Sequence, residues 1–329
     1  VKRLVTDRVL LLVALLVVLV VWMSVLGSNG YLVAPYDVDY LLSSLESVVP
    51  LCLLGVAELL VIVSGRGGID LSVGAMVSLV GMAFGFMVGV WHWPVWAAIV
   101  GALLAGAVLG AVNGFLVAWL GVPALIATLA TYYAFSSLAL VSNDNAPIST
   151  QPVQDLHSLT STVGQVPSQV FTFLLPCAAL AWLLANRTNY GRRLYAVGTN
   201  EAAARFAGLH VVGIRFRAYV LSGMLSAVVA VITVAQFASA RPDAGTVGNG
   251  MALPAITIAI LGGTAITGGI GRIGGVVVAS LFVVWLNAGI LLAFEDSRGS
   301  QYQLLALGVV LVFSALLNRL TLRTDHSLK

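Results

Sequence analysis

Ten apolar runs fill most of this chain, all but one of them close to the length a helix needs to cross lipid hydrocarbon. No water is present there to satisfy backbone amides, so a run of about 20 apolar residues folds as a helix that pairs them internally. The runs lie at 9–27, 42–63, 70–90, 95–119, 123–141, 168–185, 215–236, 252–264, 274–292 and 302–318. Charged residues are 9% of the total and hydrophobic residues 60%, whereas a soluble domain carries about a quarter charged residues. The expected fold is all-α: a polytopic membrane protein of about ten transmembrane helices, one domain over 1–329.

The first run is longer than the apolar core of a signal peptide and has no clear small-residue cleavage site, so it reads as an uncleaved first helix. Cys52 and Cys177 fall within runs and read as small packing residues rather than a disulfide framework. Lysine and arginine placement sets the orientation. With the N-terminus inside and ten crossings, Lys2, Arg3, Arg8, Arg66, Arg187, Arg192, Arg193, Arg205, Arg215, Arg217, Arg272, Arg319, Arg323 and Lys329 are inner, and Arg241 and Arg298 outer. Outer loops then hold Asp37, Asp39, Asp144, Asp155, Asp243, Glu295 and Asp296. The net charge of +3 therefore follows from topology and does not point to nucleic acid; lipid is the implied surroundings.

The run 252–264 is too short for an ordinary span, yet if it failed to cross, Arg272, Arg319, Arg323 and Lys329 would all be outside. It is read as a short, protein-surrounded crossing. Residues 42–141 and 215–318 each hold four spans of opposite sense, which fits a possible inverted repeat of the kind that recurs in transporters. Gly81, Gly85 and Gly89, and likewise Gly106, Gly110 and Gly114, recur at every fourth position and mark close helix seams. The polar stretch 142–167 is an external loop, holding a short surface helix or acting as a lid.

The segment 186–217 interrupts the apolar sequence with six arginines and a short helix that has no membrane to cross. Asn200 is suited to cap that helix, Glu201 lies at the positive end of its dipole, Ala202 and Ala203 favour helix, and Gly208 suits its end. About two turns of helix are marginal alone in water, so packing against its own membrane domain or a partner must hold it. It reads as a docking element.

Few groups offer chemistry. A Walker-type phosphate loop needs a lysine, and the only ones are Lys2 and Lys329, so ATP hydrolysis must come from elsewhere. The letters of a dinucleotide fingerprint at Gly269, Gly271 and Gly274 sit between two apolar runs without strand-helix-strand context. The four histidines, His92, His157, His210 and His326, show no ligand spacing, and no metal or catalytic site is expected. Glu58 lies five residues from the inner end of its span. It reads either as a gate or proton site, or as a partner of Arg66 or of loop backbone. Asp70 reads as the cap of the third span or as part of a path. Asn113, Thr128, Thr131, Gln236 and Asn287 either line a path for an uncharged polar solute or bond between helices.

Taken together, these motifs resemble the permease subunits of ribose-type bacterial ABC importers, which also serve other monosaccharides and autoinducer 2. The matching residues are Gly67-Gly68-Ile69-Asp70-Leu71-Ser72-Val73-Gly74, Asn113-Gly114, Pro123-Ala124-Leu125-Ile126-Ala127-Thr128-Leu129, the stretch 191–205 around Asn200-Glu201-Ala202-Ala203, and Leu261-Gly262-Gly263-Thr264 with Gly268-Gly269. Two features depart from the pattern: Ser64-Gly65-Arg66 precedes the Gly-Gly-Ile-Asp motif, and Glu58 stands where a neutral residue is expected. The resemblance implies an importer of a small neutral sugar or related polyol, without catalysis or a cofactor of its own. ATP would be bound by a separate ATPase subunit. It further implies a second permease subunit, an extracytoplasmic solute-binding protein and a bacterial inner-membrane location with both termini cytoplasmic. Asn200, Glu201, Ala202, Ala203 and Arg205 would form the ATPase-coupling helix. Glu58, Asp70, Asn113, Thr128, Gln236 and Asn287 are the candidates for the translocation path. An ion-coupled secondary transporter is the alternative, with Glu58 its best ion site.

Overall fold

A computed structural model describes residues 8–247, 250–294 and 298–326. Lys2, Arg3, Lys329, Glu295 and Asp296 lie outside the described residues, as do the side chains of Arg8, Arg319 and Arg323. Nine described helices are long and apolar enough to cross a membrane. They are α1 (Arg8–Ser28), α3 (Leu45–Val63), α4 (Val73–Gly85), α5 (Val95–Gly114), α6 (Ala124–Val141), α8 (Leu175–Arg187), α11 (Val211–Phe237), α13 (Ile273–Ala293) and α14 (Arg298–His326), with α4 and α5 each extended by a wider final turn and α8 by a wider first turn. A six-residue helix, α2 (Val38–Ser43), leads into α3 and is capped by Asp37, which accepts from the Tyr40 amide at 2.9 Å.

Spans α3, α4 and α11 are buried along most of their length, whereas less than a quarter of α1, α5, α8 and α14 is buried. The molecule is therefore layered, with a protein-surrounded centre inside a lipid-facing shell. The Gly106, Gly110 and Gly114 seam is real: a side chain at Gly106 would overlap the Gly223 carbonyl on α11, and one at Gly110 the Tyr219 carbonyl. Interhelical contact in lipid gains little from hydrophobicity, so it depends on such close backbone approach.

The short crossing is built differently from the expected helix over 252–264. Helix α12 (Ala252–Leu261) has only ten residues, about 15 Å of rise, or half the hydrocarbon thickness of about 30 Å. The other half comes from the irregular stretch before it. This stretch runs inward along α4, with Ala240 packed against Gly85 and Gly245 against Gly74. From Gly85 to Gly74 is another 16 Å or so of helix rise, so the two halves together match the hydrocarbon thickness in length. Irregular backbone survives at this depth because its polar groups are paired within the protein. The Gly245 amide donates to Ser78 Oγ at 2.9 Å, and the Met251 amide to the Gly245 carbonyl at 3.0 Å.

The loop 142–167 forms a short helix, α7 (Gln151–Gln154), a 3-10 turn (Asp155–Thr160) and a hairpin of β1 (Thr162–Val163) with β2 (Val166–Pro167). Buried Val153 and Leu156 seat it on the helices. On the opposite face, α9 (Asn189–Thr199) and α10 (Glu201–Phe206) join α8 to α11. Thr188 caps α9 by accepting from the Gly191 amide at 3.1 Å, and Asn200 caps α10 by accepting from the Ala203 amide at 3.0 Å.

Candidate functional site

Four of the six path candidates converge in one buried polar cluster. Between α3 and α4 the chain turns through the glycine-rich residues 64–72, where Arg66 takes a left-handed φ of 58°. This turn projects Asp70 inward, ahead of α4. Asp70 is thus not the helix cap; Ser72 holds that position. Asp70 Oδ1 accepts from the Ser72 amide (3.0 Å), the Ser72 hydroxyl (2.6 Å) and Asn113 Nδ2 on α5 (3.2 Å). Its Oδ2 accepts from the Ser222 hydroxyl on α11 at 3.3 Å. Glu58 on α3 accepts from the Asp70 amide at 3.2 Å through Oε2. Its partner is therefore loop backbone, and not Arg66.

Two threonines on α6 complete the cluster. Thr131 donates to Asn113 Oδ1 at 2.7 Å, and Thr128 donates to the Ile69 carbonyl at 3.2 Å. Glu58, Asp70, Ser72, Asn113, Thr128 and Ser222 are all 0% exposed. A buried polar group must find a partner or cost free energy, so this network ties α3, α5, α6 and α11 to a single turn. Glu58 Oε1 and the Tyr219 hydroxyl are buried without a hydrogen-bond partner among the described residues.

Gln236 and Asn287 bond elsewhere. Gln236 Nε2 donates to the Glu46 carbonyl and to Gln169 Oε1, both at 3.0 Å, near the end of α11 remote from α10. The main-chain carbonyl of Asn287 accepts from Gln303 Nε2 at 3.0 Å and links α13 to α14, far from the cluster. Beside the cluster, Leu71, Leu129, Tyr132, Thr246 and Met251 line a groove of about 230 Å³.

The segment around α10 forms a second site. Glu201 pairs with Arg205 (2.6 Å), Arg215 (2.9 Å) and Arg66 (3.4 Å). Burial pushes the Glu201 carboxyl up, but hydrogen bonds from Arg205 and Arg215 and the charges of Arg215 and Arg66 outweigh it and hold the carboxyl below its ordinary value. Arg215 is 1% exposed, and Nη2 also donates to the Ser64 carbonyl at 3.2 Å. The carboxylate of α10 thus turns toward its own membrane domain, while Ala202, Ala203, Arg205 and Phe206 are exposed, Phe206 by 95%.

Sequence reasoning missed Ser72, Tyr219 and Ser222, and it read Arg215 only as a topological charge. Single serines within apolar runs carry no signal that separates back-bonded ones, such as Ser226, from Ser222.

The family model described as the branched-chain amino acid transport system / permease component matches residues 40–315. The autoinducer 2 import system permease protein LsrD of Klebsiella pneumoniae is 36% identical over 260 residues, 77% of this chain and 76% of the relative. The ribose import permease protein RbsC of Escherichia coli K12 is 33% identical over 312 residues, covering 93% of this chain and 92% of the relative. This chain belongs to the ribose-type ABC importer permeases. The D-allose transport system permease protein AlsC of the same strain is 33% identical to the permease over 268 residues, 82% of this chain and 79% of the relative. No solved structure matches the permease. Its matched region takes in both the polar cluster and α10, and its function is that of a membrane-spanning permease subunit of an ABC importer.

Proposed function

We propose that this permease admits a small neutral sugar or related polyol, delivered by an extracytoplasmic binding protein and driven by a separate ATPase subunit. Two relatives named for ribose and D-allose support the solute class. A second permease subunit, a copy or a different chain, completes the passage. The polar cluster is sealed, so the solute moves beside it, along the groove next to Leu129 and Tyr132, with one chain lining one wall. The protein performs no catalysis and holds no cofactor of its own; ATP binds to the partner. It lies in the bacterial inner membrane with both termini cytoplasmic, a reading supported by its arginine distribution.

The observation that carries the ATPase contact is the surface of α10. Its one acidic side chain is neutralised within the chain, and its outward face presents Ala202, Ala203 and a fully projecting Phe206. A lone exposed aromatic on a capped helix suits a hydrophobic pocket on a partner. The test is co-purification of the ATPase with the permease, followed by uptake into liposomes. ATP-dependent uptake supports the reading; uptake without any nucleotide-hydrolysing subunit overturns it.

A further inference from the structure

We infer that Glu201 and Arg215 are positioning residues that transmit movement of the coupling helix to the turn 64–72, and through it to the polar cluster in the membrane. This rests on the reading of α10 as the ATPase contact and deepens it. Arg215 stands at the start of α11 and is buried at the junction of three elements. One of its nitrogens, Nη2, holds Glu201 of α10 at 2.9 Å and the carbonyl of Ser64, just past α3, at 3.2 Å. Arg66, two residues further on, meets the same carboxylate at 3.4 Å. The coupling helix therefore grips the turn at two points, through one carboxylate.

The far end of that turn is anchored as firmly. Asp70, four residues after Arg66, is bonded to Glu58, Ser72, Asn113 and Ser222. Ser222 lies on α11, two turns beyond Arg215, so α11 touches the turn at both ends. Between the anchors, Gly68 packs on the backbone of α3, where a side chain would overlap the Val61 carbonyl. Gly198 of α9 packs directly on the Val63 carbonyl, and any side chain there would overlap it; Gly65, at φ 83°, rests on Gly198 from the other side. A contiguous set of packed backbone and charged hydrogen bonds thus runs from the cytoplasmic helix to the buried carboxylate. Rigid elements of this kind shift between discrete arrangements rather than deform.

The experiment uses the complete importer reconstituted in liposomes, measuring solute taken up per ATP hydrolysed, together with recovery of the ATPase on the permease. The unmodified assembly tests the functional reading alone: ATP-driven uptake establishes it, and its absence overturns both. With uptake established, Glu201→Gln keeps the side chain's shape and removes its charge. The ATPase is expected to remain bound, while solute per ATP falls about tenfold, within the range of energetic coupling between two sites. Arg215→Met is expected to do the same, and the double variant to be no worse than the poorer single one, since both break one link. Undiminished solute per ATP in Glu201→Gln overturns the proposal, as does loss of the bound ATPase, which would make Glu201 part of the docking surface. Additive losses in the double variant also overturn it.

Discussion

Asn113 on α5 donates to Asp70 at 3.2 Å across 43 residues of sequence, and its carbonyl oxygen accepts from Thr131 on α6 at 2.7 Å. One amide therefore satisfies a buried carboxylate and a buried hydroxyl at once. Asn113→Leu would leave the Asp70 carboxylate without one of its donors. The expected cost is about 1–3 kcal/mol, read as a lower unfolding temperature in detergent, with Asn113→Gln falling between the two. An unchanged unfolding temperature in Asn113→Leu would mean the bond contributes nothing.

Glu58 holds the Asp70 amide through a single oxygen. Glu58→Gln retains an oxygen at that position and is expected to keep uptake within about twofold, whereas Glu58→Leu leaves the amide unpaired and costs about 1–3 kcal/mol of stability. Uptake assays on both variants separate structural support from ion coupling, because abolition of transport by the glutamine variant would require the charge itself.

Phe206 is 95% exposed on α10. Phe206→Asp should leave folding untouched, since the side chain packs against nothing in the chain. It should weaken ATPase recovery by at least 2 kcal/mol, about thirtyfold, if the ring is the central anchor. Titration of detergent-solubilised permease with the ATPase provides the measurement, and equal affinity would move the docking surface elsewhere.

Glu201 makes the segment around α10 sensitive to pH. Its folded carboxyl lies below the ordinary 4.5, so its ion pairs stabilise the protein fully above that value and lose their contribution as pH falls through the depressed one. Between pH 5.5 and 8 this group should leave stability unchanged. Below about pH 4.5 the unmodified protein should lose stability faster than Glu201→Gln. Parallel unfolding curves for the two down to pH 3 would show that the carboxylate gains nothing from its arginines.

The spans were legible in the sequence because hydropathy over 20 residues is a local property, and lipid leaves helices as the only outcome for a long apolar run. Nine of the ten runs became long helices, with ends shifted by a few residues, and the short helix α10 began at the cap Asn200 as its local chemistry dictated. The glycine ladder of α5 was equally readable, because spacing along one helix decides which face can approach a neighbour.

What only the tertiary structure decided was which distant residues meet. Glu58, Asp70, Asn113, Thr131 and Ser222 come from five separate stretches, and nothing in their spacing distinguishes them from Gln236 or Asn287, which bond elsewhere. The expected span at 252–264 is a ten-residue helix, Ala252–Leu261, preceded by irregular backbone packed on α4, an arrangement set by the shelter of α3 and α4 rather than by its own composition. Glu201 likewise turned inward because Arg215 and Arg66 converge on it in space. Local segments set the helices; the pairing of buried polar groups depended on how those helices packed, since away from water a partner can come only from elsewhere in the protein.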